Sequence, residues 1–370
     1  MNIKDLHIKA ISIADEAFIK KFNGQLDEAK LLFKEALIFE KEAALAAQKE
    51  NIGEPSISVL LKSAAALAIN CDEFREAEKL ISIALYGEPP FEIAEELRNL
   101  LEELHFQRHL QLQGITLDPT ELQLVIAGKG IGYGMVKSNE ILDRINTFQN
   151  ITLRTVERKL GKPFRGKGNI PQNIKESFQA YISVPRAQSF AFTIRLGENS
   201  EQLKIPGFES SVEIIDDIID NISLVNQANF EILKEKIKDE IYFKNFVGLS
   251  KELAPDGKEI NLVGLTITRN GKEKKVQFTR LRKDIHSSVF IDENELKQSQ
   301  DKRIELTGRL SAADQDKSNI RLTLDNGFKY SVTVPEGLGD IVKKYWGEQV
   351  KIIGTEIKKG VVKLIDLDPV

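Results

Sequence analysis

The chain has 370 residues, 41% of them apolar and 29% charged, which excludes a disordered polymer and implies two or three folded domains rather than one core. The net charge is only −4, but Lys and Arg number 12 against 20 Asp and Glu in residues 1–105. An acidic head therefore precedes a mildly basic body, which excludes a uniformly basic nucleic-acid binder.

The single cysteine, Cys71, rules out an intrachain disulfide and favours a reducing compartment. Charges interrupt the apolar residues of "MNIKDLHIKAISIADEAF" every few positions, unlike a signal peptide or a membrane span. A cytoplasmic protein that does not enter the membrane is expected.

Residues 1–110 carry helical periodicity and form the first expected domain. Leu26, Ala29, Phe33, Ala36 and Leu37 fall on one stripe, with Gly24 in the turn before it. Ala77, Ile81 and Ala84 repeat the spacing before Pro89. Over about residues 3–104 this series resembles the tetratricopeptide repeat: Ala17, Ala29, Phe33 and Ala36 match one unit, and Ala65, Ala77, Ala84 and Pro89 the next. The two units stand further apart than that repeat allows, Lys41 replaces a proline, and Ile81 replaces an aromatic residue. The resemblance implies stacked helical hairpins with a concave face for a protein partner.

"AGKGIGYG", residues 127–134, is not a phosphate loop. Tyr133 or Met135 stands where a dinucleotide fingerprint needs its last glycine, and Lys129 is followed by Gly130 instead of Ser or Thr. Alternation on both sides of Gly128-Lys129 predicts a β-hairpin over 121–136. The bare glycine face of its second strand would then admit the helix that follows, from N-cap Ser138 to Gly161. Two further strands, "FQAYISV" and "SFAFTIRLG", precede the helix "VEIIDDIIDNISL", whose isoleucines point inward and whose Asp216, Asp217 and Asp220 form a solvated face. One long helix over "NFEILKEKIKDEIYFKNFVGLSKEL" and a hairpin turning at Asn270-Gly271 complete an α+β domain over about 115–285.

From Arg303 onward five strands, with a short helix between the third and fourth, resemble the OB-fold barrel over about 303–370, within a third domain at 300–370. The alternation assigns Phe328, Tyr330, Val332 and Val334 to the barrel core, with Tyr345 and Trp346 as plugs. The fold class is thus multi-domain α and α+β: all-α hairpins, a central α+β domain with antiparallel hairpins, and a small five-stranded barrel.

Chemistry is sparse. His105 and His109 share a helix face, but Phe106 stands where a zinc-protease motif needs glutamate, and no third ligand is signalled. Asp72 beside Cys71 disfavours a nucleophilic thiolate. No catalytic residue, metal or cofactor is expected. Two basic clusters stand out as anion-binding candidates: Arg154, Arg158, Lys159, Lys162, Arg165 and Lys167, with Phe164 among them, and Lys274, Lys275, Arg280 and Arg282. They could form a phosphate groove or pair within the chain, for instance with the acidic head. The expected function is a non-enzymatic adaptor whose hairpins and barrel bind protein partners. Nucleic-acid binding through the clusters, or an enzyme site near the glycine strand, remain as alternatives.

Overall fold

The computed structural model describes residues 2–111, 116–128, 131–132, 135–166, 170–183, 190–197, 210–285, 303–314 and 319–370. The chain divides into two compact units, Met1–Gln113 and Gly114–Val370. Among the described residues no helix is long and apolar enough to cross a membrane.

The first unit is a run of antiparallel helices: α1 (Ile3–Phe22), α2 (Leu26–Glu50), α3 (Ser56–Asn70), α4 (Phe74–Tyr86) and α5 (Phe91–Leu110). Gly24 takes φ +78° in the α1–α2 turn, a conformation that costs glycine little. The helices approach closely because their facing positions are small. Ala17, Ala36, Ala43, Ala64, Ala65 and Ala77 are fully buried, and Phe33 and Ile81 fill the gaps between them. Every alanine that the periodicity places inward is buried. One polar contact is set into this interface: His7 Nδ1 of α1 lies 2.8 Å from the buried carboxylate of Glu40 on α2.

The second unit joins a sheet and a barrel. β1 (Glu121–Ala127) is the middle strand of an antiparallel sheet of order β4-β5-β1-β6-β7, with β4 Ala180–Ile182, β5 Phe190–Leu196, β6 Leu262–Arg269 and β7 Lys272–Gln277. The hairpin expected over 121–136 does not form. β2 (Ile131–Gly132) and β3 (Met135–Val136) pair with each other instead, and the edges of β1 are taken by β5 and β6. The backbone explains why. Asn261 N donates to Ala127 O at 2.9 Å, and a Cβ on Gly128 would stand 2.3 Å from Glu259 O. Gly128 is there because the backbone of residues 259–261, leading into β6, crosses it. The Gly128-Lys129 turn and the glycine face at Gly130 and Gly134 fall largely outside the described residues.

α6 (Ser138–Lys159) packs against α8 (Ser211–Asn226) and α10 (Glu240–Leu253), while α7 is the short Gln172–Ser177. α6 starts at Ser138 itself rather than after it, and Gly161, at φ +66°, terminates it as expected. Ile214, Ile215, Ile218, Ile219 and Ile222 all point into the core. The long helix expected after α8 is broken into α9 (Phe230–Lys236) and α10. Asp239 accepts hydrogen bonds from the backbone N–H groups of Ile241 and Tyr242, capping α10 and ending the helical path before it. Asn270 and Gly271 both take positive φ, as a two-residue hairpin turn requires.

The barrel is closed in the order β10-β12-β11-β8-β9, from β8 (Arg303–Asp314), β9 (Asn319–Thr323), β10 (Lys329–Thr333), β11 (Gln349–Lys358) and β12 (Val361–Pro369). A short helix, α11 (Gly339–Lys344), links β10 to β11. Gly308 and Gly354 mark close strand approaches, where a Cβ would meet Thr323 O at 2.5 Å and Lys363 O at 2.6 Å. Two assignments to the core fail. Phe328 precedes the first ladder residue, so the strand alternation does not extend to it, and it is 45% exposed. Trp346 is 48% exposed because Tyr345 before it already faces the core.

Barrel and sheet share one hydrophobic core. α10 makes the join: Gly248 leaves room for Ile341, and Asn245 Nδ2 donates to Gly337 O at 2.8 Å. Lys251, 3% exposed, reaches Asp366 at 2.7 Å and Asp368 at 2.9 Å on β12. Two predictions follow from this packing. Ala36→Leu or Ala65→Leu should overpack the helical unit and cost roughly 1–3 kcal/mol in denaturant melts. Lys251→Met should strand two carboxylates and cost roughly 3–5 kcal/mol, whereas adding Asp366→Leu and Asp368→Leu should recover most of it.

Candidate protein-binding interface

The basic clusters are the first place to look for a site, and most of their charges are already matched. The Arg154 guanidinium forms a fork with Asp340, at 2.8 and 3.1 Å, and a third bond to Glu157 at 3.0 Å. Arg165 also binds Glu157, a fully buried carboxylate. Arg158 pairs with Asp217, and Lys159 stands 3.7 Å from the same group. Lys162 contributes its backbone carbonyl to the Tyr242 hydroxyl at 3.1 Å, and Lys167 lies outside the described residues. In the second cluster Lys274 pairs with Asp220, and Lys275 with Glu273 at 3.0 Å. Arg280 donates to Asn226 O at 3.1 Å, and Arg282 to Glu252 O at 3.1 Å.

The acidic face of α8 is partly solvated, as expected at Asp216 and Asp220, but its charges are paired. Asp217 serves the first cluster; Asp216, through Arg269 at 2.8 Å, and Asp220 serve the second. The counter-charge for both clusters comes from within the same unit. Phe164 is equally committed: it lies under Arg154, 4.4 Å from guanidinium to ring centroid, and edge-on to Tyr242 at 5.1 Å. A phosphate would have to displace carboxylates at half-buried positions to bind here, which costs most of what it would gain.

The remaining chemical candidates are poor sites. Burial lowers the pKa of His105, and among the described residues no group of three or more His, Cys, Asp or Glu could hold a metal ion. Burial first, with Glu73 and Asp72 adding to it, pushes the Cys71 thiol up, against a nucleophilic thiolate.

What stands open is apolar and lies on α2. Ala29, Phe33, Ala36, Ala43 and Ala47 face the core, so residues two positions further on, about 200° around the helix, face solvent. Leu31, Ile38 and Leu45 occupy such positions, at 71%, 60% and 47% exposure, spaced seven apart. Glu28, Glu35 and Glu42 interleave with them at spacings of three and four along the same face. Glu35 and Glu42 form no ion pair with any described residue. The lysines on the other flank are spent: Lys30, Lys34 and Lys41 bind Asp72, Glu73 and Glu76 at 2.6 to 2.9 Å. α1 adds exposed Ile8, Ile11, Phe18, Ile19 and Phe22 to the apolar surface of the unit. The seven-residue spacing is visible in the sequence but is masked there by the alanine stripe beside it.

Comparison with protein-family models, with curated proteins and with solved structures finds no match to this chain. The reading of the interface rests on its own geometry. Arg154→Gln should cost roughly 3–5 kcal/mol of the second unit's stability, because it strips a partner from both Asp340 and Glu157. A chemical melt indistinguishable from wild type would show that the pairing does not hold the fold.

Proposed function

We propose that the protein is a non-enzymatic adaptor whose helical unit binds a basic amphipathic helix of a protein partner. The observation that carries this reading is the exposed Leu31–Ile38–Leu45 stripe edged by Glu28, Glu35 and Glu42. Apolar residues at seven-residue spacing suit a second helix laid along the first, and the unpaired Glu35 and Glu42 beside them favour Lys or Arg on that helix. The balance of −8 over residues 1–105 extends the same preference to longer range. The small-residue helix pairs support a tetratricopeptide-like module. The five strands closing around one another, with a helix between the third and fourth, support an OB-like barrel that acts as a second protein contact.

A second reading places single-stranded nucleic acid on the barrel rather than on the basic clusters, because Phe328 and Trp346 are exposed aromatic rings of the kind on which bases stack.

The test is a synthetic helix with leucine at seven-residue spacing flanked by lysines, titrated into the full chain. Binding should be micromolar and weaken with salt. Ile38→Glu should weaken it about tenfold or more while the melt stays within about 0.5 kcal/mol of wild type. Glu35→Gln with Glu42→Gln should flatten the salt dependence. Peptide affinity untouched by Ile38→Glu would sink the adaptor reading, and tight oligonucleotide binding lost on Phe328→Ala would replace it with the second.

A further inference from the structure

A pocket of about 420 Å³ opens between α6, α10 and α11 in the second unit. It is built from polar groups. α6 contributes Asp143, Asn146 and Asn150 at helical spacings of three and four, so they share a face. α10 supplies Glu252, and α11 supplies Lys343 and Lys344.

Glu252 is the decisive member. It is 1% exposed, and its Oε2 is fully occupied, accepting from Lys344 Nζ at 2.8 Å and from the Tyr345 hydroxyl. Its Oε1 is buried and accepts no hydrogen bond. A buried carboxylate oxygen without a donor is costly, and Glu252 is among the residues that line this pocket. Nearby, Asp143 lies 3.6 Å from Lys344, too far for a hydrogen bond and so left with acceptor capacity. Lys343, also lining the pocket, is exposed and forms no ion pair with any described residue.

The pocket thus offers unspent acceptors at Glu252 and Asp143, an unspent cation at Lys343, and the amides of Asn146 and Asn150 besides. A simple anion meets three carboxylates, Asp143, Glu252 and Asp340, the last already bound by Arg154. A simple dication meets Lys344 and Arg282, which already stand by Glu252. The volume equals roughly 14 waters at about 30 Å³ each, enough for a molecule of about ten non-hydrogen atoms.

We propose that this pocket binds a small zwitterion of the α-amino-acid class, its ammonium held by Glu252 and Asp143 and its carboxylate by Lys343. The reading does not depend on the helical interface and stands or falls separately from it.

The experiment is calorimetric titration of the full chain with glycine, L-serine and L-glutamine. Ethanolamine, acetate and glycerol serve as ammonium-only, carboxylate-only and uncharged probes. At least one amino acid should bind at low millimolar concentration or tighter, with each partial probe about tenfold weaker or worse. Lys343→Gln, at an exposed and unpaired position, should keep the wild-type melt, weaken amino-acid binding about tenfold and leave ethanolamine unchanged. Asp143→Asn should weaken both the amino acid and ethanolamine. If Glu252→Gln does not fold, these two variants still decide the matter. No heat from any amino acid at about 10 mM, glycerol binding as tightly as the amino acids, or an amino-acid affinity indifferent to both variants would each overturn the assignment.

Discussion

Lys251 and Glu252, two consecutive charged residues on α10, are buried in a largely apolar core, and the join between sheet and barrel depends on satisfying them. A buried charge is tolerated only with a partner in hydrogen-bonding geometry. Lys251 finds two aspartates on β12, and Glu252 finds Lys344 and Tyr345 on and beside α11 together with Arg282 after β7. Those partners belong to the barrel and to the end of the sheet segment. Separating barrel from sheet would leave charges of both signs without partners, so the two share one core instead of meeting as independent modules.

The two sites settle differently. Burial works against ionising Glu252, but Arg282 and Lys344 outweigh it and hold the carboxyl below the usual range. At Asp366 burial wins over Lys251, and the carboxyl sits above its ordinary value. Tyr345, pushed up chiefly by burial and then by Glu252, stays a hydrogen-bond donor. The network at Glu252 is thus anionic at its centre and cationic around it, which is what leaves one of its oxygens charged and yet unoccupied.

The units use charge in opposite ways. In the second, both basic stretches fold against carboxylates of α6, α8 and α11, so little of their field is left for a partner. In the helical unit Lys30, Lys34 and Lys41 of α2 are tied to the residues that open α4, while Glu35 and Glu42 beside the apolar stripe form no ion pair with any described residue. The open chemistry of that unit is apolar and acidic.

Periodicity was enough to determine the helical pairs, the inward isoleucines of α8, the Asn270-Gly271 hairpin and the five barrel strands. Each depends on residues a few positions apart, where spacing dictates which side chains share a face. It also excluded the phosphate-loop reading of the glycines at 127–134. What only the tertiary structure decided depends on residues far apart in the chain. Gly128 looked like a turn glycine and is a crossing point for residues 259–261, the segment that leads into β6 more than 130 positions further on. Arg154 and Asp340 are 186 positions apart, so spacing left open whether the basic residues of 154–167 form a phosphate groove or pair within the chain. The fold brings carboxylates to Arg154, Arg158, Lys159 and Arg165. The α2 stripe was present in the sequence as a seven-residue spacing, but only packing could show which of two apolar stripes on that helix is covered. Local spacing fixes which side chains share a face; the partner across the core decides whether that face is spent or left open.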